Sequence, residues 1–300
     1  MSIVFDTICM KINKILPANS VFTEKLSLID NAPEYINYLG ELPESVDTVV
    51  AIVGTRKPSR YGVEVTSRIA YDLAKSGVII VSGLALGVDA LAHQAALDAG
   101  GITIGVVMDE LPDISPKTNV PLARRMIESG GAVMSEWSKG DNTTFNRASF
   151  LKRNRLVSGL ADAVIITEAA AKSGTLNTAS HALAQGREVF VVPGNITSPL
   201  SEGCNNLLKQ GATPITCAQD VLEVIAPNLL PSNKRKQPSL LFGDTPAETT
   251  ILQLIASGVR DGEVLQQQSK LSAAEFSTAL TMLEINGLIR PLGANNWTIR

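Results

Sequence analysis

Six short apolar runs, rich in Val and Ile, recur between residues 48 and 194: TVVAIVG, GVIIVSG, GITIGVV, GAVMSEW, ADAVIIT and REVFVVPG. Their apolar character is nearly continuous rather than alternating, and each interval between them has room for a helix. Strands of this kind, alternating with helices, predict a mostly parallel sheet covered on both faces. The expected architecture is α/β, a doubly wound, Rossmann-like domain over residues 47–227. Its intervals carry helix signals: residues 89–99 (DALAHQAALDA), with Asp89 as a reasonable N-cap, run into Gly100 and Gly101 as a stop. Ligands of such sheets sit at the carboxyl ends of the strands, so chemistry is expected in the turns that follow the runs.

The pattern changes on either side of this region. Residues 1–46 are weakly patterned and are expected to form a short N-terminal extension. Residues 228–246 mix Pro, Ser and Asn with Lys234, Arg235 and Lys236, the composition of a flexible linker. Beyond them, helices are expected at 247–257, 261–268 and 272–286, followed by a hairpin in GLIRPLGANNWTIR that turns at 293–296. Three helices closed by a hairpin predict a small C-terminal winged-helix domain, 247–300. Its third helix, which in that fold normally enters a DNA groove, offers Glu275, Ser277, Thr278 and Glu284 as exposed residues and no arginine. A protein-contact or regulatory role is favoured over duplex reading, because a duplex needs cations.

Composition narrows the class. At 300 residues and 45% hydrophobic, the chain can fill a core without staples. Cys9, Cys204 and Cys217 lie far apart and include no C-x-x-C pair, so neither a disulfide framework nor a zinc knuckle is indicated. No secretory leader or membrane-length segment is legible, which leads to the expectation of a cytoplasmic protein without a membrane partner. A net charge of −3 argues against coating nucleic acid through overall charge and leaves the local distribution to decide.

That distribution is uneven. VGTRKPSRYG lacks both G-x-G-x-x-G and the P-loop ending but places Arg56, Lys57 and Arg60 between a strand and a helix start, an anion-binding combination; no cofactor is indicated. In SGLALGVD, the small residues from Ser82 and Gly83 onward serve either close packing or close approach to a ligand. In EAAAKSGTLNTA, Ser173, Gly174 and Thr175 are expected to open a helix with hydroxyl and N–H donors, and Glu168 at the strand end is expected to orient basic side chains or act as a catalytic carboxylate. VPGN supplies another tight turn on the same edge. FLKRNR then adds Phe150, Lys152, Arg153, Asn154 and Arg155, with Arg147 just before and Trp137 nearby. Cations that follow a backbone, combined with an aromatic face that stacks on any base, describe a surface for single-stranded nucleic acid.

Catalytic signatures are weak. His93 and His181 lie inside helical segments without metal-ligand spacing, and VSGLA does not complete a nucleophile elbow. Asp109, Glu110 and Asp113 form an acidic loop, which reads as a solvated loop more readily than as a cation site.

Taken in order, VAIVGTRKPSRYG, VSGLALGVDALAH, GGITIGVV, SPKTN, SEW, FLKRNRLVSGLADAVIITEA, SGTLNTA, GREVFVVPGN and SEGCNNLLKQGA resemble the DNA-processing protein A (DprA, or Smf) family across residues 48–225. The resemblance implies binding of single-stranded DNA without known catalysis, loading of the RecA recombinase in natural transformation, and homodimers built through the Rossmann domain. It implies that Arg56 is the basic residue of the V-G-[ST]-R turn, that Arg147 is the cation three places before the motif Phe150, and that Arg153, Asn154 and Arg155 are the R-N-R. Two departures stand out: Leu86 replaces a residue that is basic in many members, and Leu151 replaces a proline, with Lys152 as a compensating charge. The N-terminal extension is also shorter than the helical SAM-like domain of some members. The rival expectation is a nucleoside-monophosphate phosphoribohydrolase, which has a comparable Gly-Thr helix start. That motif needs a following glutamate, however, and Asn177 with no acid follows here.

Overall fold

All six apolar runs become strands of one sheet in the computed structural model, which describes residues 11–45, 48–139, 147–230, 243–293 and 295–299. The first of two units, Met1–Leu230, begins with β1 (Asn13–Ile15), β2 (Ile36–Gly40) and β3 (Val49–Val53). It continues through α1 (Arg60–Lys75), β4 (Ile79–Ser82), α2 (Val88–Asp98), β5 (Thr103–Val106), α3 (Val120–Glu128), β6 (Ala132–Ser135), α4 (Arg147–Leu160) and β7 (Ala163–Ile166). It closes with α5 (Thr175–Ala184), β8 (Glu188–Val191), α6 (Glu202–Lys209), β9 (Thr213–Pro214) and α7 (Ala218–Ile225). The sheet order is β1-β2-β6-β5-β4-β3-β7-β8-β9, parallel from β6 through β9. The strands read as unbroken apolar runs because both faces are covered. Val49, Ala51 and Val53 of β3 pack with α4, α5 and the Phe22–Leu26–Ile29 cluster, while Val50 and Ile52 pack with α1, α2 and α7.

The N-terminal residues are not an appendage. β2 pairs antiparallel with β6 and β1 with β2, extending the sheet by two strands. Buried Asn37 in β2 interrupts the apolar pattern, and its Nδ2 donates to the Glu136 carbonyl at 3.3 Å. The segment between β1 and β2 is clamped from two directions. Lys25 Nζ lies 2.5 Å from Asp162, whose other carboxylate oxygen accepts from Val49 N at 2.9 Å. Arg155 of α4 donates Nε–H to the Asn31 carbonyl at 3.0 Å and grips Glu136 with both terminal nitrogens.

The second unit, Pro231–Arg300, consists of α8 (Pro246–Ala256), α9 (Gly262–Ser269), α10 (Ala273–Ile285) and the antiparallel hairpin β10 (Ile289–Gly293) and β11 (Asn296–Ile299). Ile251, Leu252, Leu265, Phe276, Leu283 and Ile289 make its core. Each helix starts on a side-chain cap, from Thr245, Asp261 and Ser272 respectively. On α10, Glu275, Ser277, Thr278 and Glu284 are exposed as the pattern predicts, joined by Met282 and Ile285. Most of the expected linker, residues 231–242 with Lys234, Arg235 and Lys236, lies outside the described residues. Among the described residues, no helix is long and apolar enough to cross a membrane.

Inside the first unit, the Thr103 hydroxyl donates to the Ile80 carbonyl at 2.8 Å, so at 2.6 Å from His93 it accepts the Nδ1 proton and sets that tautomer. Burial, and secondarily Arg153, push the imidazole down to about 3. Between that value and about 6.5, the unfolded chain binds a proton that the folded chain refuses. The stability contributed by neutral His93 is therefore complete above pH 6.5 and is lost as the pH falls below it. The advantage of the native chain over His93→Gln should shrink between pH 7 and 4.5, by up to about 1.4 kcal/mol per pH unit in urea unfolding. A constant advantage would show that the ring is not held neutral. For the Arg155 clamp, Arg155→Ala strands the partly buried Glu136 carboxylate and should cost up to about 3 kcal/mol in the same assay, with Arg155→Met/Glu136→Leu recovering most of it.

Candidate nucleic-acid interface

β3 stands where the strand order reverses, with β4, β5 and β6 laid down on one side and β7 and β8 on the other. An open α/β sheet has its crevice at such a point. Turns after β3 (Gly54 to Arg56), β4 (Gly83, Ala85) and β7 (Ala170 to Thr175) line a cleft of about 770 Å³ there. The remaining wall is α4. Phe150, Arg153, Asn154 and Val157 follow one another at helical positions i, i+3, i+4 and i+7, so they share one face, and all four line the cleft.

The floor is built from a buried charge pair. Arg153 is 7% exposed and donates Nη1–H to the Val106 carbonyl at the end of β5. Its guanidinium and the Asp89 carboxylate both lie so close over Gly83 that a Cβ there would overlap them. Asp89 accepts from Gly83 N at 3.1 Å and Ala85 N at 3.4 Å. It therefore braces the turn from the second position of α2, while Gly87, with φ +80°, takes the cap position expected for it. Burial pushes the Asp89 carboxyl up and the Arg153 guanidinium down, and the attraction between them opposes both shifts. Arg153 Nε is buried without a partner. Leu84, fully buried, holds φ +54°, and Asn119 fixes that strained turn by donating Nδ2–H to the Leu84 and Ala85 carbonyls at 2.9 and 3.2 Å. Asn119 thereby supplies a physical role for the SPKTN motif.

At the opposite bank, α5 begins at Thr175, as the sequence predicts. The Thr175 hydroxyl donates to the Gly54 carbonyl at 2.9 Å and accepts from Ser173 Oγ at 2.9 Å, while Thr175 N donates to Ser173 Oγ at 3.2 Å. Part of the expected donor set is thus already used inside the protein. Asn154 Nδ2 reaches Asn177 Oδ1 at 3.3 Å and ties α4 to its neighbour α5. Exposed on the rim are Arg56, Lys172, Gly174 and Phe150, the last 39% exposed.

The other predicted residues fall elsewhere. Lys57, Arg60 and Lys152 are exposed but do not line the cleft. Ser82 is fully buried, its hydroxyl bonded to the Ile52 carbonyl at 2.6 Å. Arg155, expected as a phosphate ligand, points away from the cleft and is 4% exposed in its bonds to Glu136 and Asn31. Two residues along a helix amount to about 200° of rotation, so Arg153 and Arg155 cannot face the same ligand. Arg147 opens α4, and its side chain is outside the described residues. Trp137 does not line the cleft. Glu168, 2% exposed, is neither a catalytic carboxylate in this cleft nor a partner of its cations: it accepts Ser59 N at 2.8 Å and Ser59 Oγ at 2.6 Å, closing the N-terminus of α1. Among the described residues, no group of three His, Cys, Asp or Glu could hold a metal ion. Lys172, Leu151 and Asp89 also line the cleft, as do Val53 and Thr178, without having been singled out as contacts. Lys172 was detectable as the cation immediately before the Ser-Gly-Thr helix start.

Comparison with known proteins bears on this geometry. The family model described as DNA recombination-mediator protein A matches residues 13–226, which include β1 and β2, and the DprA winged helix domain matches residues 235–295. Protein Smf of Escherichia coli is 36% identical over 282 residues, covering 92% of this chain and 74% of that protein. The X-ray structure of DNA processing protein A from Streptococcus pneumoniae superposes with a TM-score of 0.64 at 36% identity, over 72% of this chain and 75% of that one. DNA processing protein A from Helicobacter pylori, studied for its single-stranded DNA binding mode, gives 0.62 at 32% identity, over 73% and 96%. A cleft at the switch point, walled by the R-N-R helix, thus sits in a chain that belongs to the DNA recombination-mediator protein A (DprA/Smf) family.

Proposed function

We propose that the cleft binds single-stranded DNA and that the chain, acting without catalysis, delivers the strand to the RecA recombinase during natural transformation or homologous recombination. The observation that carries this reading is Phe150, an aromatic ring left 39% exposed on the rim of a cleft whose other rim residues include Arg56 and Lys172. An exposed ring between cations serves a ligand with alternating charge and flat unstacked bases, which a duplex does not offer. The single-strand binding mode studied in the H. pylori relative is of the same class. Phosphates are assigned to Arg56 and Lys172 at the rim, with Lys57, Arg60 and Lys152 along the approach. The base stacked on Phe150 then lies over Arg153 and Asn154, and the α5 start at Ser173, Gly174 and Thr175 adds the positive end of a helix.

RecA delivery and a homodimer are parts of the same proposal and rest on family membership. The winged-helix unit is assigned to a protein contact, because α10 exposes Glu275 and Glu284 beside Met282 and Ile285 and carries no Lys or Arg. The hydrolase alternative lacks the acid that its motif needs after the Ser-Gly-Thr helix start, where Asn177 stands.

Fluorescence anisotropy of a labelled single strand and its duplex across a salt series tests the reading. The single strand should be preferred, with log affinity falling against log salt by about 0.7 for each phosphate neutralised. Arg56→Ala or Lys172→Ala should remove about one such increment. Phe150→Ala should weaken binding by about 1–3 kcal/mol at unchanged slope. Salt-independent binding, or release of free base from AMP or CMP, would replace this function with another. For RecA, the protein should shorten the lag of RecA ATPase on protein-coated single strands, and Phe150→Ala should not.

A further inference from the structure

Beyond the turn that carries Arg56 lies a second cavity of about 360 Å³, at the small end of ligand-sized recesses. It shares that turn with the cleft: Thr55 lines one and Ser59 the other. Four residues of chain separate those two positions by at most about 14 Å. Tyr61 forms one wall. Its ring is 44% exposed, yet its hydroxyl donates to the Pro193 carbonyl at 2.8 Å, so the exposed face is held in a fixed orientation. Ser201 also lines the recess and is 3% exposed. It stands at the cap position of α6 without making a capping bond, and its hydroxyl has no hydrogen-bond partner among the described residues. It packs so closely on Gly194 that a Cβ there would overlap the hydroxyl.

The charge of the recess selects among ligands. Glu168 lies at its base, with one oxygen accepting from Ser59 N and the other from Ser59 Oγ. A buried carboxylate repels phosphate but accepts N–H groups, whereas the exposed cations Lys57 and Arg60 flank the turn outside. A flat aromatic wall and a free hydroxyl, above a carboxylate that repels phosphate, together suit a neutral planar ring with polar edges.

We propose that this recess is a second base-binding subsite, in which a nucleobase of the strand held by the cleft stacks on Tyr61 and meets the Ser201 hydroxyl with its edge. The inference rests on the single-strand reading of the cleft. It extends the path of the strand from Phe150, across the Arg56–Lys57 turn, to Tyr61, and it assigns a ligand contact to the VPGN turn.

An abasic scan tests it on the full chain. One abasic nucleotide is walked along the shortest oligonucleotide that retains full affinity, and anisotropy is read at each position. Two separate positions should each lose about fivefold or more when the base is removed, the lower end of the contribution of one stacked base. In Tyr61→Ala one of these penalties should vanish while the other persists; in Phe150→Ala the reverse should hold; Tyr61→Phe should behave as the native chain. A scan of the native chain with a single sensitive position, lost in Phe150→Ala, would leave the cleft reading standing and overturn the recess. So would Tyr61→Phe matching Tyr61→Ala, because the hydroxyl tether and not the ring would then matter. No binding of any oligonucleotide by the native chain would overturn both readings.

Discussion

The cleft depends on one buried guanidinium. Arg153 reaches from α4 into the carboxyl edge of the sheet, bonds the end of β5, and lies against Gly83 beside Asp89, so a single side chain joins the helix wall to the floor. Removing a charge of this kind from water costs several kcal/mol, and the cost is offset only where a counter-charge and hydrogen bonds are placed to meet it. Asp89 meets it, and Asp89 is itself held by the amides of Gly83 and Ala85. The β4–α2 turn therefore cannot relax without uncovering a charge. This explains why Leu84 tolerates a left-handed backbone and why Asn119 is spent on holding that turn. A floor that is costly to distort is suited to presenting a ligand surface of fixed shape.

Positive charge is divided into two kinds in consequence. Arg153 and Arg155 are structural, each more than nine-tenths buried and each facing an acid, Asp89 and Glu136 respectively. The charges left for an anion are the exposed ones around the rim, Arg56 and Lys172, with Lys57, Arg60 and Lys152 farther out. The acidic total of the chain and a cationic rim are compatible because the acids beneath the rim are already partnered. Glu168 closes the α1 N-terminus and Glu136 holds Arg155, while Asp162, at the amino edge of the sheet, holds Lys25. What an approaching strand meets is set by exposure rather than by the formal sum.

The doubly wound sheet was legible in the sequence because strands covered on both faces need an apolar residue at every position. β1 and β2 were not, for the converse reason. β1 has three residues, none of them fully buried, and β2 carries Asn37 inside an otherwise buried run, so neither gives the continuous signal of a central strand. At the site, the turns and the R-N-R motif were found from sequence, but roles were not. Spacing along α4 already separates Arg153 from Arg155 by about 200°, and that geometry distinguishes cleft wall from structural clamp where charge counting treats them alike. Glu168 was misread because a carboxylate at a strand end looks available until its donors, Ser59 N and Oγ, are brought to it from 109 residues away in the chain.

The departures from the family pattern can be weighed on the same terms. Leu86 stands where many members carry a cation, and it is 47% exposed beside Ala85. Lys152, the compensating charge suggested by sequence, is exposed but does not line the cleft, whereas Lys172 does so from the opposite bank. Phosphate binding by counterion release depends on how many charges are neutralised more than on which loop supplies them, so a cation moved across the cleft preserves the electrostatic contribution. On the proposed single-strand reading, what changes is the surface along the path: Leu86, exposed beside the floor, would give a strand an apolar contact for sugar or base where the family resemblance implies a charge. On that reading the exchange would shift binding on that bank from phosphate attraction toward apolar burial, a contribution that salt does not screen.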